Sequence, residues 1–181
     1  SQPVSAAEVV GTYSVAELTR VFRQYGELKR PDKAAYAIEA ARKESPIQQT
    51  SQLMAVLNFL APRGKENQYF AQVFQALRIE VNDELGALQA MLLSSIELLE
   101  EGGRLAIISY HSLEDRMVKQ FITKHSREVY DRRTPFAATP ELPLRALGRQ
   151  RPSAEEVKAN PRSRSAIMRV AERVSTAREQ A

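Results

Sequence analysis

Through the first 62 positions apolar residues recur at helical spacing, and no stretch there alternates as a strand would. Ser5 with Glu8, and Ser14 with Glu17, have the serine-to-glutamate spacing of a capping box, so a helix is expected after each. The second of these helices carries Leu18, Val21, Phe22 and Tyr25 on one face and stops at Gly26. A third begins near Pro31-Asp32, has a modest stripe of Ala35, Ile38, Ala41 and Arg42, and ends at Pro46. Thr50 or Ser51 caps a fourth, with Leu53, Val56, Leu57 and Leu60 on its face and Ala61-Pro62 closing it. Residues 1–62 thus predict a compact all-helical unit.

The pattern changes after the polar connector Arg63 to Asn67. Phe70, Val73, Phe74 and Leu77 mark a helix within Tyr69 to Ile79. A longer one follows from about Asn82 to Glu100, with Leu85, Leu88, Met91, Leu92, Ile96 and Leu99 on its buried side, and Gly102-Gly103 stop it. Leu105 to Ser109 is a short continuous apolar run, the mark of a strand covered on both faces. A helix then starts at Ser112, with Leu113, Met117, Val118, Phe121 and Ile122 inward. Helix, Gly-Gly turn, buried strand and helix together predict an α/β fold with a piece of an open parallel sheet. Ile167 to Val174 alternates partway and supplies a second strand. Two strands do not make a doubly wound sheet, so further strands are expected on the N-terminal side. The apolar edge left without them favours association between chains, a homo-dimer included. Residues 124–152, rich in Pro and Arg, predict a long loop.

Charge adds a second asymmetry. Residues 1–123 hold 13 Lys and Arg against 15 Asp and Glu, whereas residues 124–181 hold 13 against 7, so the excess of basic charge lies in the last third. That distribution suits a polyanion such as RNA, and equally a solvated basic tail. The chain has no Cys, which excludes disulfides, thiolate metal sites and a cysteine nucleophile, and its two His leave no histidine-built zinc centre. No metal is expected. No apolar run approaches membrane-spanning length and no signal pattern opens the chain, so a cytoplasmic location is the default. The opening Ser1-Gln2-Pro3, without an initiator Met, is that of a processed chain or a fragment.

The chemistry-bearing segment is Ser109-Tyr110-His111-Ser112-Leu113-Glu114-Asp115-Arg116, where the predicted strand ends and a helix begins. In open α/β sheets ligands bind outside the carboxyl ends of strands. Ser112 and Asp115 have capping-box spacing. Tyr110 and His111 have no such structural duty and suit a planar ligand by stacking or hydrogen bonding. Arg78, Asn82 and Glu84 form a second cluster, read as an ion pair with an N-cap by Asn82 or as support for the site. Asn160 to Ser165 is a basic turn in which Arg162 and Arg164 are either phosphate contacts or surface charge. No Gly-x-Gly spacing, Walker motif or nucleophile elbow occurs.

Phe74 to Leu85, Gly102 through Arg116, and Asn160 to Ala166 with Arg169-Val170-Ala171-Glu172-Arg173 together resemble the bacterial MraW family, the ribosomal RNA small subunit methyltransferase H enzymes. Ser5 to Glu8 and Phe22, Tyr25-Gly26-Glu27 resemble that family's inserted helical domain, and Leu28 departs from its acidic continuation. The resemblance implies an S-adenosylmethionine-dependent enzyme methylating N4 of a cytidine in 16S rRNA. It implies a Rossmann-like domain interrupted by a helical insertion, with residues 1–66 as the insertion and 67–181 as the C-terminal half of the catalytic domain. The family's glycine-rich cofactor motif would lie upstream of Ser1, so no cofactor-binding residue is assigned and this chain alone is expected to be inactive. By the same resemblance Tyr110, His111 and Ser112 lie beside the target cytidine and methyl donor, and Arg116, Arg162 and Arg164 hold RNA. The alternatives at this level are a non-catalytic RNA-binding or ribosome-associated module and a structural α/β adaptor.

Overall fold

The two capping boxes start the first two helices where the spacing puts them. In the computed structural model, which describes residues 5–126 and 142–175, these are α1 (Ala6–Thr12) and α2 (Val15–Gln24). Ser5 Oγ accepts from the Glu8 N–H at 3.2 Å, and Ser14 Oγ from the Glu17 N–H at 3.3 Å; each glutamate reaches back to its serine N–H. Pro31 opens α3 (Pro31–Glu44), as its fixed φ allows. The start of α4 (Thr50–Leu57) differs from the expected hydroxyl cap. Thr50 is already helical, and Gln52 Oε1 accepts the N–H groups of Gln48 and Gln49 at 2.8 and 2.9 Å. A 3-10 turn, Asn58–Leu60, leads on to α5 (Glu66–Asn82).

The chain divides into two compact units, Ser1–Glu84 and Leu85–Ala181. The core of the first joins Leu18, Val21 and Phe22 of α2 with Ile38, Leu57, and Phe70, Val73, Ala76 and Leu77 of α5. The helical unit therefore reaches past residue 66, because the inward stripe of α5 is part of its core. Arg20 of α2 pairs with Glu80 of α5 at 2.7 Å. Asp83, left-handed at φ 46°, ends α5.

Gly26 lets α2 approach α5. A Cβ there would stand 2.5 Å from Leu28 Cδ1 and 3.0 Å from the carbonyl oxygens of Gln72 and Phe22. The left-handed residue of this turn is Glu27 (φ 51°), so Gly26 serves closeness, not a special φ. Gly26→Ala is expected to destabilise by about 1–3 kcal/mol through overpacking, read as a lower urea midpoint. An unchanged midpoint would refute the close approach.

The second unit holds all but the first residue of α6 (Glu84–Leu98), then β1 (Arg104–Ser109), α7 (Ser112–Ser126), β2 (Leu144–Gln150), α8 (Ala154–Ala159), a 3-10 turn Pro161–Ser165 and β3 (Ile167–Arg173). Its sheet has the order β1-β3-β2, and both pairings are antiparallel. This corrects the expected parallel sheet. The turn Pro161–Ser165 delivers the chain at Ile167, opposite Ser109, so β3 starts where β1 ends and must run back along it. The expected loop over 124–152 is also corrected: α7 continues to Ser126 and residues 144–150 are β2, while residues 127–141 lie outside the described residues.

Leu92, Leu105, Val118, Ile122, Leu144 and Ala171 form the second core. β1 is not covered on both faces. Leu105 and Ser109 are buried, whereas Ala106 and Ile108 are exposed, Ile108 by 55%. Among the described residues its outer edge pairs with no strand. Met91, expected inward, is exposed, and Leu92 takes the core position. Glu172 of β3 lies between Arg104 of β1 and Arg145 of β2 in register, pairing with Arg145 and standing 3.5 Å from Arg104. Among the described residues no helix is long and apolar enough to cross a membrane.

Candidate active site

Tyr110 and His111 form the turn between the carboxyl end of β1 and the first residue of α7, Ser112. Glu114 holds this turn. Its Oε2 accepts the N–H groups of Tyr110 at 3.0 Å and His111 at 3.4 Å, and its own N–H donates to His111 Nδ1 at 3.4 Å. The result is a capping box with an imidazole at the cap, one residue earlier than the expected Ser112 and Asp115 pair. His111 Nε2 stands 3.1 Å from Glu114 Oε1, an ion-pair distance out of line for a hydrogen bond, and has no hydrogen-bond partner among the described residues. In the neutral ring Nδ1 is the acceptor and Nε2 carries the proton.

Asp115 turns to the sheet instead. Arg169 of β3 donates from Nε to Oδ1 at 2.6 Å and from Nη2 to Oδ2 at 2.9 Å, a bidentate pair with both side chains more than four-fifths buried. The Arg169 hydrogen bonds hold the Asp115 carboxyl below its ordinary pKa, against the opposing effect of burial, and Arg149 and Lys119 lower it further. This pair pins the first turn of α7 to the middle strand. Tyr110, by contrast, is 57% exposed. Ser109, buried beside it in sequence, has a hydroxyl without a hydrogen-bond partner among the described residues.

The expected site residues fall into three groups. Tyr110, His111, Ser112, Asp115 and the exposed Arg116 share the β1–α7 junction. Arg162 and Arg164, both exposed, lie on the Pro161–Ser165 turn, which enters β3 opposite Ser109 and so belongs to the same end of the sheet. Asn160 shapes that turn, its Oδ1 accepting from Arg162 N–H at 3.2 Å and its carbonyl from Ser163 Oγ at 2.8 Å. Arg78, Asn82 and Glu84, at the end of α5 and the start of α6, bond to one another. Arg78 donates to both Glu84 oxygens at 2.7 and 3.1 Å, and Asn82 Nδ2 donates to Oε1 at 3.3 Å. The expected ion pair is present, but Asn82 is the last residue of α5, not an N-cap.

Sequence reasoning missed Glu114 and Arg169. Glu114 has capping-box spacing from His111, and His is a far rarer cap than Ser, so the spacing alone points to Ser112 instead. Arg169 carried a signal of its own: a charged residue two positions from both Ile167 and Ala171 faces inward on a strand, and an inward charge needs a partner.

Residues 1–174 match the sequence profile of the MraW methylase family. The chain belongs to the MraW methylase family. Its relatives in that family include a protein named ribosomal RNA small subunit methyltransferase H from Polaromonas naphthalenivorans (strain CJ2), 50% identical over 175 residues that make up 96% of this chain and 57% of the relative. The protein of the same name from Paracidovorax citrulli (strain AAC00-1) is 52% identical over 171 residues, 93% of this chain and 55% of its own. That from Burkholderia thailandensis is 48% identical over 179 residues, 94% and 57%. The MraW-family chain thus spans about half the length of the curated relatives it matches. Its mixed helices and small antiparallel sheet are consistent with a methyltransferase fold.

Proposed function

We propose that this chain is part of an S-adenosylmethionine-dependent methyltransferase that modifies N4 of a cytidine in 16S rRNA. The second unit is then the C-terminal part of a Rossmann-like catalytic domain, and the helical unit is its insertion. The observation that carries this reading is the β1–α7 junction: an exposed aromatic ring and an imidazole at the carboxyl end of a strand, braced by Glu114 and by Asp115 with Arg169. Family membership supplies the reaction class.

S-adenosylmethionine supplies an activated methyl group for transfer. The residues present do not themselves fit it: the β1–α7 turn has no glycine to admit a nucleotide closely, and its carboxylates are engaged, Glu114 by backbone N–H groups and Asp115 by Arg169. The donor site is therefore assigned to the rest of a longer protein. What this chain contributes is the acceptor side. A base in structured RNA must be turned out of its stack to react, and the open face of Tyr110 suits stacking on it. His111 acts by position more than as a base, because its Nδ1 lone pair already faces the Glu114 N–H. Alignment of the amine supplies most of the rate in such a transfer, and little base strength is needed.

The test is methyl transfer from labelled S-adenosylmethionine to small-subunit RNA by the full-length protein, with the product nucleoside identified by mass. N4-methylated cytidine is expected, and label on another base or on protein would overturn the reading. In the same protein, Arg162→Ala and Arg164→Ala are each expected to weaken RNA binding and to reduce the slope of log affinity against log salt by about 1. Unchanged affinity and slope would remove both arginines from the interface.

A further inference from the structure

β2 contains one residue more than its register with β3 needs. Ala146 pairs with Ala171, yet Gly148 pairs with Val170 and Arg149 with Arg169, so Leu147 is the extra residue of a bulge, with Gly148 at φ 129°. Regular pairing would set Arg149 opposite Met168. The bulge moves it opposite Arg169, onto the sheet face that meets Asp115 of α7. Like charges directly opposite on neighbouring strands are destabilising. Asp115 hydrogen-bonds only one of them, since both its oxygens bind Arg169. Arg149 is exposed, and among the described residues its side chain forms no ion pair or hydrogen bond. One turn along α7 from Asp115, at i+4, Lys119 is exposed too, with no ion pair among the described residues. Both cations are near enough to act on the Asp115 carboxyl. Three cations thus surround one carboxylate, at the end of the sheet where Ser109 leads into Tyr110 and His111.

We infer that Arg149 and Lys119 form a seat for RNA backbone phosphates beside the β1–α7 junction, holding the strand that carries the target base. The inference rests on the RNA reading above and names a contact surface that reading did not include. A bulge that sets two like charges side by side is explained by an anionic partner. Phosphate supplies the missing negative charge, and an extended strand passing the sheet end reaches both side chains. Lys119 and Arg149 lie outside the methyl-transfer machinery, so they act on RNA affinity and leave donor affinity alone.

The test uses the full-length protein and a 16S rRNA fragment, with affinity measured from 50 to 200 mM salt. Lys119→Gln combined with Arg149→Gln is expected to bind about tenfold more weakly at the low-salt end and to lower the salt slope by about 2, roughly 1 per lost phosphate contact. The charge-keeping pair Lys119→Arg with Arg149→Lys is expected to retain the parent slope, and S-adenosylmethionine affinity is expected to be unchanged throughout. Lys119→Gln alone, on an exposed helix face where folding is not at issue, is expected to lower the slope by about 1. A parent slope in either neutral variant overturns the phosphate seat while leaving the RNA reading intact. A parent protein without RNA affinity overturns both.

Discussion

Arg169→Ala is expected to destabilise the protein by about 2–3 kcal/mol, less than a fully buried pair would lose, because both partners keep some exposure. The substitution leaves the Asp115 carboxylate partly buried without its two donors, and it frees the first turn of α7 from β3. The effect has a pH signature. The folded-state pKa of Asp115 lies below its ordinary value, so the folded chain holds the ionised form more tightly than the unfolded chain does. The stability this contributes is complete above the unfolded carboxyl pKa of about 4 and is lost as pH falls through the lower folded value. The gap between parent and Arg169→Ala should therefore be widest near neutral pH and narrow in acid below about pH 4. Urea unfolding at pH 7 and at pH 3.5 measures it. A loss under about 0.5 kcal/mol, or a gap that does not depend on pH, would mean that the pair behaves as a solvated surface bridge.

The parts of the fold fixed by local chemistry were legible in the sequence. Ser5 with Glu8 and Ser14 with Glu17 read correctly because a capping box is closed within four residues. Leu105 to Ser109 and Ile167 to Val174 read as strands from an apolar run and a partial alternation, and the strands observed are Arg104–Ser109 and Ile167–Arg173. What sequence did not show was how the strands pair. An apolar run followed by a helix signals a parallel crossover unit, but the direction of β3 is set by where the Pro161–Ser165 turn delivers it. β2 escaped notice because Leu144 is its only buried residue and Arg145, Gly148 and Arg149 read as loop. The candidate site divides in the same way. Tyr110 and His111 were visible from their place between a strand and a helix. The brace beneath them was not, since Arg169 reaches Asp115 across 54 positions of sequence.

His111 is expected to separate two duties when it is replaced in the full-length protein. His111→Ala removes both the acceptor for the Glu114 N–H and the imidazole beside the proposed target base. It should lose about 1 kcal/mol of stability, the ordinary cost of a lost N-cap, and lower the methyl-transfer rate by about a hundredfold if the base is misplaced by an ångström. Asn is among the best capping residues and presents an oxygen where Nδ1 stands, so His111→Asn should restore the stability and not the rate. The split between turnover and substrate binding identifies the role. A positioning imidazole predicts a lower kcat with a pH profile unchanged in shape, because Nδ1 is engaged by Glu114 and takes no proton from the amine. A general base predicts instead that the acidic limb of the profile disappears in the Asn variant. If His111→Asn regains full activity along with stability, the residue is a cap alone, and recognition of the base falls to Tyr110 and its other neighbours at the end of β1.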